Sequence, residues 1–443
     1  MRRPLCVFCA GMLGVELVCV FLPQTELFVP FAAFFVAVCL VLCIFDAARK
    51  AALCILLGAA VGMASVLHTA NRLERIRVQY AGRPLVLTAE VESTADSYDP
   101  GIVDAVLHVE KVNGSAASFR VECSALPECK AGERVQGRFI LSAPASGSRV
   151  SLYADGIALQ AEMDEDGPEL TVLGESGSFR ARTHRLQQRL SASLRRRMDG
   201  KTGGVLAAMT TGDRSYLSSA MRSAYRGAGL AHVLVSGMHV SILCGDILST
   251  LLPYEWEQSY RRRRHRAVFR SLLAFLLMGV TGFTPSVCRA AVAVWVGALG
   301  VWLYGPPDTL TSLAVAGIVM TAGNSYAVCD IGFELSFAAV VGTVAGGVCI
   351  RRARDAWYRQ FWKNAKNPVK RPWYFKLPER LWGLAESICI SFCASVATFP
   401  VLVLRGLSVS IYAVASSVAV LWLIQPMMLL GLGTAFAGLV PAL

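Results

Sequence analysis

Apolar positions along this chain follow two rhythms. In residues 5–22, 28–45 and 51–68 they run almost unbroken, close to the ~20 residues that a helix needs to cross a hydrocarbon core. A helix satisfies its own backbone hydrogen bonds where no water is available, so each block predicts a transmembrane span. Similar blocks recur near 230–252, 267–283, 286–304, 308–323, 331–350 and 381–404, and 409–443 reads as one or two more, interrupted at Pro426. The expected architecture is a polytopic α-helical membrane protein of about ten spans.

The second rhythm occupies residues 85–172. Here apolar and polar positions alternate in short runs: 85–91 (LVLTAEV), 103–109 (VDAVLHV), 118–122, 134–141 and 157–161. Period-two alternation bounded by turn residues predicts strands. Asp99-Pro100-Gly101, Asn113-Gly114 and Asp166-Gly167-Pro168 separate them, and Asn-Gly between strand residues is a strong hairpin signal. Five or six short strands predict an inserted all-β domain, with an OB-like barrel as one candidate. The domain plan is therefore three N-terminal helices in 1–70, an OB-like domain in 82–178, a basic amphipathic helix in 181–199 and a second transmembrane region in 203–443.

Composition supports the membrane reading, with 54% hydrophobic and only 17% charged residues. The formal net charge of +12 invites a nucleic-acid reading, but its placement matters. Residues 253–270 hold six Arg against Glu255 and Glu257, and 351–380 hold ten Lys or Arg against Asp355 and Glu379. Those segments carry the whole excess, and basic residues collect in cytoplasmic loops whatever a membrane protein does. The same rule sets orientation. Arg2 and Arg3 place the N-terminus inside, Arg49 and Lys50 return inside, and residues 70–200 lie outside. Parity then brings both basic loops inside. The first span has a basic start like a secretory signal, but it lacks a small-residue cleavage site and is read as a retained anchor.

Fourteen cysteines are present, twelve of them in or beside apolar blocks, where Cys behaves as a small hydrophobe. Cys123 and Cys129 differ: they sit in the outside domain with Pro127 between them, and an oxidising compartment allows a disulfide there. That domain carries eight Lys or Arg against sixteen Asp or Glu between Arg83 and Arg180. A net of −8 disfavours a DNA-gripping barrel, which needs a positive groove with stacking aromatics; a structural or gating domain is the better reading. In 181–198, Leu186, Leu190, Leu194 and Met198 recur every fourth residue among arginines. This suits a helix on lipid headgroups, or a basic collar collecting a polyanion.

Ionisable groups inside spans are costly and mark function. In LAHVLVSGMHVSILCGDIL, Ser236, His239 and Asp246 each fall within about 40° of His232 at 100° per residue, on one side of the helix. Gly237 between them allows close approach or a local break. Two histidines two turns apart stand about 10.5 Å along the axis, too far to share a zinc with ~2 Å bonds. A Ser/His nucleophile pair is geometrically allowed, and so is a polar pathway lining. Arg289 opens another span, while Asp330 and Glu334 lie four apart on one helix face. An Arg and a carboxylate on neighbouring spans would neutralise each other. Asp213 and Arg214 precede the fourth span.

These segments carry a resemblance. LAAMTTGDRSYLSSAMRSAYRGAGLAHVLVSGMHVSIL resembles the signature of the ComEC family, inner-membrane channels of bacterial DNA uptake. GFTPSVCRAAV, DIGFELSFAAVVG and ATFPVLVLRGLSV are similar to three further family segments, in the same order. Val235 and Met238 stand where the family usually has Ile and Leu, and Ser416 and Ser417 occupy a region where it has Asn before Pro. The family often carries a metallo-β-lactamase-like domain with metal motifs. No such motif occurs in these residues, so no nuclease activity, metal or cofactor is carried over. The resemblance implies a channel for single-stranded DNA in the bacterial cytoplasmic membrane during natural transformation. His232, Ser236, His239, Arg289 and Glu334 would line it, and Asp213, Arg214 and Asp330 would shape its vestibule. Membrane lipid, an outside DNA receptor and a cytoplasmic helicase or motor are the implied partners, since the chain has no P-loop. An intramembrane hydrolase using Ser236 and His239, or a transporter of another anion, are the alternatives.

Overall fold

The computed structural model of this chain describes residues 3–21, 30, 33, 34, 37, 46–96, 102–164, 170–230, 240, 244, 260–303, 308–364 and 376–437. It divides into two compact units, one of Met1–Arg189 with Glu257–Phe333 and one of Leu190–Trp256 with Glu334–Leu443.

In the first unit, α1 (Pro4–Phe21) packs along α2 (Asp46–Tyr80). Glycines make the approach close. A side chain on Gly58 would strike the Phe8 carbonyl, and one on Gly62 would lie 2.7 Å from the Met12 carbonyl. This Gly-xxx-Gly spacing is a device of helices in lipid, where small residues let backbones meet. The last turns of α2 become the floor of the β domain. Leu73, Ile76 and Tyr80 pack against its core, and Tyr80 stacks on Phe119 at 5.1 Å.

Six strands come next: β1 (Pro84–Asp96), β2 (Ile102–Val112), β3 (Ser115–Pro127), β4 (Glu133–Ser142), β5 (Ile157–Met163) and β6 (Thr171–Glu175). Each run read as a strand from its alternation lies within one of them. Their order is β1-β2-β3-β5-β4-β6, and β4 also pairs with β1. Five strands thus close on themselves, with β6 as an appended edge. Only β3 and β5 run parallel. Alternate residues of the strands fill the interior, among them Leu87, Leu107, Val121, Phe139 and Leu159, all fully buried. Asn113 and Gly114 both take positive φ, as a tight hairpin turn requires. A short helix, α3 (Arg149–Ala154), precedes β5.

Glu92 ties this domain to the helix beyond it. Its buried carboxylate meets Arg120 and Arg180. Arg180 opens α4 (Phe179–Arg197) and lies over the Phe283 ring, while Phe179 stacks on Phe275 of α7 (Tyr260–Val280). The basic helix expected over 181–199 is therefore present. Ala181, Thr183, Gln187, Leu190, Ser191 and Leu194 on it are buried by protein, leaving Arg182, Arg189 and the arginines at 195–197 exposed. The chain leaves the first unit within this helix. The first unit also holds α8 (Pro285–Trp302), α9 (Thr309–Thr321) and a 3-10 turn at Ser325–Cys329. Arg3 pairs with Asp308 at 2.9 Å, which sets the starts of α1 and α9 at one end.

The second unit holds α5 (Gly200–Thr211), α6 (Ser219–Gly227), α10 (Ile331–Asn364) from Glu334 onward, α11 (Lys376–Leu404) and α12 (Ala413–Ala437). Gly342 and Gly346 of α10 meet the backbone of Cys393 and Ile390 on α11, repeating the Gly-xxx-Gly device. Leu384, Ile388, Phe392, Val396, Phe399 and Val403 form an exposed apolar stripe on α11. Water would penalise such a face, whereas lipid is its natural solvent. Arg49–Tyr80, Pro285–Trp302, Ile331–Arg359 and Leu381–Leu404 are long and apolar enough to cross a membrane. Ala413–Val420 and Trp422–Ala437 form a bent pair that passes the same test together. The bend falls one turn before Pro426, where the ring clashes with the carbonyl four residues back. α1 and α9 are shorter apolar helices. The blocks read as spans at 28–45 and 230–252 lie outside the described residues or nearly so.

Candidate functional site

The segment TTGDRS lies at the end of α5, and most of it has a local reason. Gly212 ends the helix at φ 80°, the left-handed conformation that glycine adopts without strain. The Thr211 hydroxyl donates to the Ala207 carbonyl at 2.8 Å and lies 2.9 Å from the Ser191 hydroxyl of α4. Asp213 accepts from the backbone N–H and the hydroxyl of Ser215, at 3.1 and 2.6 Å, closing an Asx turn. Ser218 then caps α6, accepting from the Met221 N–H. Buried Leu217 holds the loop down with Ala208, Met221 and Tyr225.

Arg214 has no such local task. The loop sets it beside Arg222 and Arg226 of α6, and Arg222 Nε donates to the Leu217 carbonyl. Desolvation within the fold and then the Arg222 and Arg226 charges pull the Arg214 guanidinium below its ordinary value, although the residue still has an exposed face. Arg195 lies 4.0 Å over the Tyr216 ring. From 190 to 230 the chain carries seven Lys or Arg against Asp199 and Asp213. Among the described residues, Arg214, Arg222 and Arg226 form no ion pair. Cations held close without carboxylates raise one another's energy and lower it again when an anion arrives.

The other candidates fall in separate places. Glu334, in the first turn of α10, is gripped by Arg405 just past α11: Nε donates to Oε2 at 3.0 Å and a second guanidinium nitrogen to Oε1 at 2.5 Å. Sequence reasoning expects an Arg on a neighbouring span but does not name Arg405. Its signal is an arginine closing the apolar run ATFPVLVLR. Asp330 is the N-cap of α10, accepting from the Phe333 N–H at 2.6 Å. Arg289 is half-buried on α8. The Gly-Phe-Thr-Pro segment before it turns through two left-handed residues, Gly282 and Phe283, and Pro285 starts the helix. His232, Ser236, His239 and Asp246 lie outside the described residues.

Cys123 and Cys129 are both free thiols in the structure, so the disulfide expected between them is not formed there. They are buried and serve as small apolar side chains at the end of β3. Burial, reinforced by Cys129, pushes the Cys123 thiol up to about 12, and burial pushes Cys129 up to about 11. A further residue escapes the sequence reading: Glu16, fully buried on α1. A single carboxylate in an apolar block is its only signal.

Comparison with known proteins matches residues 209–443 to the family described as "Competence protein". The chain is also 31% identical over 136 residues to ComE operon protein 3 of Bacillus subtilis (strain 168), a match covering 30% of this chain and 17% of that relative. No solved structure matches. The family match covers more than half of the chain, from the end of α5 through the Thr-Gly-Asp-Arg-Ser loop, the Arg289 and Glu334 helices and α12, and so the chain belongs to the competence protein family.

Proposed function

We propose that this protein takes up DNA in natural transformation, by passing a single strand across the bacterial cytoplasmic membrane. The observation that carries this reading is the cluster of Arg195, Arg214, Arg222 and Arg226 around the TTGDRS loop. The positive-inside rule accounts for the basic loops at 253–270 and 351–380, but by the same rule 190–230 faces outward, where basic excess has no topological cause. An outward cationic cluster whose Arg214, Arg222 and Arg226 form no ion pair among the described residues favours a polyanion, and Tyr216 beside Arg195 adds an aromatic face of the kind that stacks on bases. The family description and the name of the Bacillus subtilis relative, both referring to competence, favour DNA over other anions.

Passage of a polyanion needs a hydrated polar path and no chemical step. His232, Ser236, His239, Arg289 and Glu334 are its lining in this reading, and Asp213, Arg214 and Asp330 shape its vestibule. The strand order of the closed barrel supports an OB-like domain, and its net negative charge supports a gating role for it. An outside DNA receptor and a cytoplasmic helicase or motor are the partners the reading requires.

The test is a triple charge reversal, Arg214→Glu, Arg222→Glu and Arg226→Glu, in cells scored for transformation, with single-strand binding measured on the purified protein. Transformation should fall by more than tenfold at normal membrane levels. The salt dependence of binding should flatten by about two in slope, at ~0.7 per lost phosphate contact. Unchanged uptake by a normally inserted triple variant would sink the reading.

A further inference from the structure

Glu16 lies on α1 with 0% exposure, enclosed by α2, α9 and the 3-10 turn. Neither carboxyl oxygen makes a hydrogen bond within the described residues. The hydroxyls of Ser65 on α2 and Thr321 on α9 are beside it. Both are already engaged: Thr321 donates to the Gly317 carbonyl at 3.1 Å, and Ser65 meets Ser325 at 2.5 Å. The other ionisable groups that face it are the Cys9 and Cys19 thiols of its own helix, and among the described residues no Lys, Arg or His does. An ionised carboxylate without partners in such surroundings is costly. A protonated one donates its O–H: the Thr321 hydroxyl, its own proton committed to Gly317, presents lone pairs to receive it, and so does Ser65 whenever its proton goes to Ser325.

A path leads from this point. Ser325 contacts Ser65 and, at 3.3 Å, Thr69 one turn further along α2. Thr321 and Ser325 are fully buried and Thr69 nearly so. Beside Ser325, Asn324 donates to the Tyr153 carbonyl at 2.6 Å, and Tyr326 meets the Tyr153 ring edge-on at 5.3 Å. The row of hydroxyls therefore ends at the seam between the membrane helices and the β domain.

We propose that Glu16 is a buried proton-binding site, exchanging its proton with solvent at the β-domain seam along the hydroxyls of Ser65, Ser325 and Thr69. Hydroxyls both donate and accept, so each passes a proton on by accepting one and releasing its own. The net change is one proton gained or lost at the carboxyl, with no other bond altered. The site stands independently of the substrate proposed above, because it lies in the N-terminal helices and uses no group of the basic cluster.

Infrared spectroscopy of the whole protein in lipid nanodiscs tests it. At neutral pH the wild type should show the C=O band of a protonated carboxyl, absent from Glu16→Gln. Transfer to D2O should shift that band within minutes, and Ser325→Ala should keep the band while slowing the shift several-fold. The wild-type measurement alone decides most of the matter if a variant fails to fold. No protonated-carboxyl band in the folded wild type would overturn the site. A band that never shifts in D2O would make the carboxyl a locked structural group and overturn it too. Loss of the band on adding Na+ at constant pH would mean that a metal cation occupies the place of the proton, and would equally overturn it.

Discussion

α1 with α2 in the first unit and α10 with α11 in the second cross by the same device, Gly58-xxx-Gly62 in one and Gly342-xxx-Gly346 in the other. Each pair also bears a glutamate, and there the two part. Glu334 is held by both arms of Arg405 and keeps some solvent contact, at 18% side-chain exposure. Glu16 has no solvent contact, and among the described residues its polar neighbours are hydroxyls and thiols. The difference arises from the neighbours. A planar guanidinium keeps a carboxylate charged and fixes its direction, whereas hydroxyls accept a proton's company and impose no charge. The backbone plan is common to both, and the local partner decides whether the acid acts as a fastener or as a carrier.

The shared plan is tested first, because its failure is the largest expected effect. Gly58→Leu and Gly342→Leu each drive a side chain into backbone rather than into a movable group. Overpacking of ordinary cores costs about 1–3 kcal/mol, and a backbone collision belongs at or above the top of that range. Both variants should lose most of their folded, detergent-soluble yield, while Gly383→Leu, with open space around it, should behave as wild type. A tolerant Gly58→Leu beside an intolerant Gly342→Leu would show that the two crossings are unlike after all.

Next comes the fastener. Arg405→Ala leaves Glu334 in place without its partner. Breaking a fully buried pair costs ~3–5 kcal/mol, and partial exposure reduces this, so about 2 kcal/mol is expected as a lowered thermal midpoint. Arg405→Lys should recover only part of it, since an ammonium cannot fork. The exchange Glu334→Arg with Arg405→Glu should restore more than half. If Arg405→Ala melts like wild type, the pair contributes nothing and the contrast with Glu16 loses one side.

How much of this is legible in the sequence depends on the range of the interaction. The apolar blocks become α1, α2, α8, α10 and α11, and the alternating run 134–141 becomes β4, because periodicity is local and the core or lipid enforces it. Asp213 and Asp330 differ in emphasis from their expected place in a vestibule. The structure shows each closing a turn or capping a helix, a role that Asp before a helix signals by itself. Arg405 cannot be matched to Glu334 from spacing, as seventy-one positions separate them. Glu16 vanishes into the average of an apolar block, although a lone carboxylate there carries the default suspicion that attaches to intramembrane charge.

In the β domain, burial favours the uncharged form of two thiols. Their ordinary value is 9.0, and Cys123 stands at about 12 and Cys129 at about 11. The folded state thus holds these protons more tightly than the unfolded one. The stability this contributes is complete below about 9 and is lost as pH climbs through 11 and 12. Native protein should be alkylated at these positions far more slowly than unfolded protein at pH 8, with or without reductant. Rapid labelling that appears only after reduction would instead show that the two are joined by a disulfide in the cell.

The smallest expected effect is the most discriminating. If Glu16 is present to carry a proton, the fold does not need it, and Glu16→Met should leave the thermal midpoint unchanged or raised. The reasoning rests on what is removed. The carboxyl oxygens accept no hydrogen bond within the described residues, so beyond the one O–H that the protonated form offers to Ser65 or Thr321, Met takes away unsatisfied polar atoms and replaces them with an apolar chain of similar length. Replacing such groups by apolar ones of the same shape is neutral or stabilising, and a flexible thioether suits an irregular gap. Any gain should stay within about 1 kcal/mol, because Ser65 and Thr321 then lose a polar neighbour while keeping the bonds they already make. A structural carboxyl behaves in the opposite way: its loss would strand its partners and lower the midpoint, as Arg405→Ala does for Glu334. A Glu16→Met protein that melts well below wild type would therefore show that hydrogen bonds fasten α1 through this residue, and the two glutamates would then be two versions of one fastener.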